Sequence, residues 1–88
     1  MLTSSVRKVM WTSEDDIALI KGNDWPCGFA LPVKRPIGNS GNYEFGCITP
    51  DNRMMILATN LYEFNPFAKV HCEYESVEEL VADGWMVD

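Results

Sequence analysis

Apolar and polar positions alternate with a strand period over most of this 88-residue chain, and the clearest helix pattern comes at its end. There, Ser76 and Glu79 form S-x-x-E, the spacing in which each side chain satisfies a backbone N–H that the first helical turn leaves unpaired. Gly84 stands where a left-handed residue ends a helix, and Trp85 follows where an apolar side chain folds back on Leu80. The pattern predicts a helix over residues 77–83 that packs through Leu80, Val81 and Trp85.

Upstream, residues 6–11 read as a first strand. Residues 12–16 read as a hairpin turn into a strand over 17–20. A short helix capped by Ser13, with acids in its first turn and Gly22 after its end, is the alternative. Cys27, Phe29, Leu31 and Val33 share one face of the next segment, and Pro32 on the other face implies an edge strand or a strand end. Residues 34–42 read as a loop. Tyr43, Phe45 and Cys47 fall on one side of the following strand. The turn chemistry of residues 49–53 joins it to a return strand over 54–59. From Phe67 to Glu75 the alternation is clean, with Ala68, Val70, Cys72 and Tyr74 against Lys69, His71, Glu73 and Glu75. Together these elements predict one α+β domain over residues 1–88. Its sheet is twisted and antiparallel, with four or five strands, open or curled into a half-barrel, and one C-terminal helix packs on one face.

The strand over 54–59 departs from its neighbours because it is apolar on both faces, and such strands need cover on both sides. One helix covers one side. Curvature, a layer from the N-terminal hairpin, or a second subunit must close the other, which makes Met54 and Met55 candidate contacts in a homodimer.

Composition narrows the class. With 47% hydrophobic and 23% charged residues, the chain has too much apolar material for intrinsic disorder. No stretch approaches the roughly 20 apolar residues that span a bilayer, and the N-terminus lacks the order of a secretory signal. Cys27, Cys47 and Cys72 form no C-x-x-C pair, and each is in phase with the apolar face of a predicted strand. Buried, reduced thiols in a cytoplasmic protein are expected. The net charge of −6 is uneven. Residues 1–59 balance, whereas 60–88 hold Glu63, Glu73, Glu75, Glu78, Glu79, Asp83 and Asp88 against Lys69 alone. That surplus argues against direct nucleic-acid binding, which rests on Lys and Arg.

Candidate chemistry is sparse. His71 and Cys72, with Cys27 and Cys47, are the only residues resembling zinc ligands, yet adjacent strand residues point to opposite faces. No metal or other cofactor is therefore expected. A Cys–His enzyme needs a thiolate stabilised by positive charge, and this strand is acidic; no catalytic residue is assigned. The segment 33–42 sets Lys34 and Arg35 beside Gly38 and Gly41 and could hold an anion, but it lacks the P-loop spacing. Trp25, Tyr62, Phe64 and Phe67 close the core or line a small cleft. Glu78, Glu79 and Asp83 form an acidic helix face suited to a protein partner.

The expected function is a non-enzymatic acidic binding or adaptor protein working through protein contacts as a homodimer, with Met54, Met55, Glu78, Glu79 and Asp83 at its surface. The first alternative is a small-molecule or anion binder, enzymatic or not, using Trp25, Tyr62 and Phe64 with Lys34 or Arg35. A further alternative is an acidic inhibitor of a basic protein.

Overall fold

The computed structural model describes residues 13–88, so the expected strand over 6–11 lies outside the described residues. The elements are α1 (Ser13–Lys21), β1 (Leu31–Pro36), β2 (Tyr43–Thr49), β3 (Asn52–Leu57), β4 (Val70–Glu73), α2 (Val77–Ala82) and β5 (Met86–Val87). The strands form one antiparallel sheet in the order β4-β3-β2-β1-β5. It is open, not closed into a barrel, and the fold is α+β with two helices where the sequence predicted one.

Alternation along the strands gives the sheet two faces. On one, Leu31 and Val33 of β1 lie opposite Ile48 and Gly46 of β2. Leu31, Val33, Ile48 and Ile56 join Ile20 of α1, Val77, Leu80 and Val81 of α2, and Trp85 in a single buried cluster. The Ser76 half of the capping pattern acts as its spacing predicts. Ser76 is extended, and its hydroxyl accepts from the Glu79 N–H at 3.1 Å. Gly84 adopts φ +105°, a left-handed value that costs a side chain but not glycine. Trp85 is then delivered into the core at 1% exposure.

The strand expected over 17–20 is instead part of α1. Glu14, Asp15 and Asp16 occupy the end of a helix that favours negative charge, and Lys21 occupies the other. The deciding contacts come from far along the chain. Arg53 Nη1 donates to the Ile20 carbonyl at 2.8 Å and to that of Gly22, and Nη2 donates to Asn23 Oδ1 at 3.3 Å. Its guanidinium lies 4.9 Å over the Trp25 ring, whose Nε1 donates to the Leu19 carbonyl at 2.8 Å. A β-strand residue thus caps α1, and tertiary contact overrides a weak local preference.

Three further boundaries differ. β1 runs on to Pro36, so Lys34 and Arg35 belong to a strand and the connecting loop shrinks to residues 37–42. Pro32 is tolerated because its backbone faces β5, where its carbonyl accepts from the Asp88 N–H at 3.0 Å and no donor is needed. β4 is only four residues long, because its register against β3 slips between Ile56 and Leu57. Cys72 opposes Ile56 and Val70 opposes Leu57, leaving His71 as the extra residue of a bulge.

The two-sided apolar pattern of β3 is covered within the chain. Ile56 is fully buried under the helices, and Leu57, on the opposite face, is 4% exposed. Met55 lies half-buried opposite Glu73, while Met54 remains exposed. Close approach at the centre of the sheet requires Gly46. A Cβ there would press on Ile56 Cγ2 and stand 2.9 Å from the Leu57 carbonyl oxygen.

Gly46→Ala is therefore expected to destabilise the fold by about 1–3 kcal/mol through overpacking, read as a lower midpoint in urea unfolding. Arg53→Met, which keeps the apolar stem but strands the carbonyls at the end of α1, is expected to cost about 1–3 kcal/mol. Helical circular dichroism would then melt at lower temperature; an unchanged melting curve would show that the cap contributes nothing.

Candidate functional site

Two features gather polar and aromatic side chains, one on each face of the sheet. On the helix face, the β1–β2 register sets Arg35 opposite Glu44. Arg35 Nε donates to Glu44 Oε2 at 2.8 Å, and Nη1 donates to Asp83 Oδ2 at 2.6 Å. The guanidinium stacks 4.8 Å above Trp85. The second oxygen of Glu44 meets His71 Nε2 at 2.6 Å, and the His71 ring stands edge-on to Trp85 at 5.7 Å. The bulge thus brings His71, which remains exposed, to this group. Tyr74 completes the set: its hydroxyl donates to Asp83 Oδ2 at 2.5 Å and accepts from Trp85 Nε1 at 3.0 Å.

The electrostatics follow from these contacts. The Arg35 hydrogen bond, then that of His71, holds the Glu44 carboxyl below the usual glutamate range. Glu44 in turn pushes the Arg35 pKa upward against the effect of burial. Burial first, and then the bond to Asp83, pushes the Tyr74 hydroxyl above its ordinary value. These bonds make the cluster a clasp between β1, β2, β4 and the end of α2, with the side chains of His71 and Asp83 still open to solvent. Burial also raises the Cys47 thiol, with a smaller contribution from Cys27, so Cys47 lacks the thiolate character of a nucleophile. Among the described residues, no group of three or more His, Cys, Asp or Glu is arranged to hold a metal ion. No helix among them is long and apolar enough to cross a membrane.

The other face carries a cleft of about 530 Å³. Pro32 and Val33 of β1 and Phe45 and Gly46 of β2 line one part of it, residues 59–62 another, and Asp88 closes an end. Segment 58–69 is shaped by polar ties. The Ala58 N–H donates to the Lys69 carbonyl at 2.8 Å, and Thr59 Oγ1 accepts from the Asn65 N–H at 3.0 Å. Lys34 Nζ sits 3.3 Å from Asp88 Oδ1 and 4.8 Å above the Tyr43 ring. Tyr43 and Phe45 pack ring to ring at 6.4 Å and both stay exposed. Tyr62, at the mouth, is 99% exposed.

The candidate residues read from the sequence are thus distributed. Tyr62 lines the cleft, and Lys34 is held at its edge by Asp88. Arg35 lies on the opposite face within the clasp. Trp25 is engaged at the end of α1, and Phe64 packs on Phe29 at 5.3 Å. Glu78 pairs with Lys21, Glu79 is exposed, and Asp83 holds Arg35 and Tyr74. Phe45, Pro32, Leu61 and Asp88 were not singled out by sequence reasoning. The Arg35–Glu44 pair would have emerged from the hairpin register had the loop been confined to residues 37–42. No protein-family model matches this chain, and no curated protein or solved structure matches it.

Because the folded-state pKa of Glu44 is depressed, its contribution to stability is complete above the ordinary glutamate value and is lost as pH falls through the depressed one. Unfolding free energy measured in urea from neutral pH down to about pH 3 should therefore fall less steeply for Glu44→Gln than for wild type. Parallel curves would show that the pairing is not stabilising.

Proposed function

We propose that this protein is a small, acidic, non-enzymatic binding module that acts through protein–protein contact as a homodimer, joined on the sheet face turned away from the helices. The observation that carries this reading is the exposed Tyr43–Phe45 pair beside an apolar cleft. Contiguous exposed aromatic surface is what folded chains otherwise minimise, and it marks interaction sites. A cytoplasmic setting belongs to the same reading and is supported by three unpaired thiols.

The contact differs from the one that the sequence pattern suggested. Ile56 and Leu57 are buried within the chain, which leaves Met54 as the exposed apolar side chain of β3, and the more exposed Phe45 of β2 is the stronger candidate. The cleft itself favours a second reading, because about 530 Å³ falls in the range of small-molecule sites. An apolar ligand would then take the place of a partner.

Sedimentation velocity and light scattering over a wide concentration range should show a monomer–dimer equilibrium for wild type, displaced towards monomer by Phe45→Ser. High salt should leave it largely intact, because apolar contact is not screened. A strict monomer at every concentration would overturn the dimer. A thermal shift with small aromatic compounds, abolished by Phe45→Ser, would favour the second reading.

A further inference from the structure

We infer that the homodimer is built by reciprocal insertion of Tyr62, each copy placing this side chain in the other's cleft. The inference rests on the dimer reading above and specifies the contact that makes it. Tyr62 is 99% exposed, the extreme among the large apolar side chains of the described residues, and it helps to line the cleft. A projecting ring beside a cavity is a self-complementary pair of shapes. A two-fold axis passing between them brings each ring to the other copy's cavity, which is the rule of an isologous interface. The cleft volume of about 530 Å³ exceeds that of one aromatic side chain. Pro32, Phe45 and Leu61 give it apolar walls. Thr59, Asn60 and Asp88 at its rim offer oxygen acceptors to the hydroxyl, the partner that a buried tyrosine requires.

Charge selects a second copy on this side over one on the helix side. The helix face presents exposed Glu14 and Glu79, so two copies meeting there would set like charges together. At the cleft, Asp88 is already matched by Lys34 at 3.3 Å. The size is also compatible. A standard interface takes roughly 800 Å² from each partner, about one-seventh of this chain's 5600 Å². Tyr43, Phe45 and Tyr62 lie on that side as its apolar centre.

The test compares dimer dissociation constants for wild type, Tyr62→Ala, Tyr62→Phe and Phe67→Ala by sedimentation equilibrium. Phe67 is the control, because it is 92% exposed but does not line the cleft. Tyr62→Ala should weaken the dimer at least about tenfold, the effect of losing a buried aromatic anchor. Tyr62→Phe should weaken it less, and Phe67→Ala by less than about threefold. Since the Tyr62 side chain is in solvent, the unfolding midpoint of dilute, monomeric Tyr62→Ala should match wild type, which separates lost association from lost folding. A wild-type dissociation constant in Tyr62→Ala, or an equal loss in Phe67→Ala, overturns the inserted ring while leaving the dimer standing. A monomeric wild type overturns the dimer, and the inserted ring with it.

Discussion

The placement of the C-terminal segment depends on the guanidinium of Arg35. It lies between two carboxylates, Glu44 and Asp83, with Trp85 under its face. A charge removed from water needs such pairing, because desolvation otherwise outweighs what a single contact returns. The geometry is available only because residue 84 is glycine: φ is +105°, and a Cβ there would come within 3.3 Å of Arg35 Cγ. The turn after α2 therefore closes onto the arginine stem, Trp85 drops into the core, and its indole N–H is taken up by Tyr74.

The same turn also shapes the opposite face. After Trp85 the chain runs as β5 beside β1, pairing Val87 with Val33 and Met86 with Lys34. That register sets Asp88 next to Lys34 and at the end of the cleft. A polar cluster on the helix side thus fixes one wall of an apolar cavity on the other side. The two candidate features are mechanically linked, although their chemistry is separate.

How much of this could be read from the chain depends on whether the deciding contacts are local. The helix at the end was legible because Ser76, Glu79 and Gly84 act within a few residues of one another. The α+β class and most of the β2–β3 hairpin were legible from period and turn chemistry. α1 was legible only as the alternative to a strand, since its apolar residues fit either period and Arg53, which bonds its last carbonyls, comes from β3. The contact of His71 with Glu44 was not legible, because it depends on a bulge that inserts one residue into the alternation. The cleft was half legible. Tyr62 and Lys34 were named, whereas its walls at Pro32, Phe45 and Asp88 depend on the β1–β2–β5 register and on the path of residues 58–69.

β2 teaches the most about function because its pattern misleads. Read as an alternating strand, Tyr43, Phe45 and Cys47 form the apolar side, and Glu44, Gly46 and Ile48 form the mixed one. The helices pack on the mixed side. Gly46 allows Ile56 to approach closely there, Ile48 fills the core, and Glu44 is neutralised by Arg35. Two large aromatics are left outward on the other side, although a small chain has few to spare. An isolated exposed apolar residue carries little information, but a paired set beside a cavity does. Folding this sheet satisfied its polar residues and left its aromatic ones uncovered. Tyr43 and Phe45 are therefore the aromatic pair that this sheet leaves exposed, while Ile56 and Leu57 of β3 are buried.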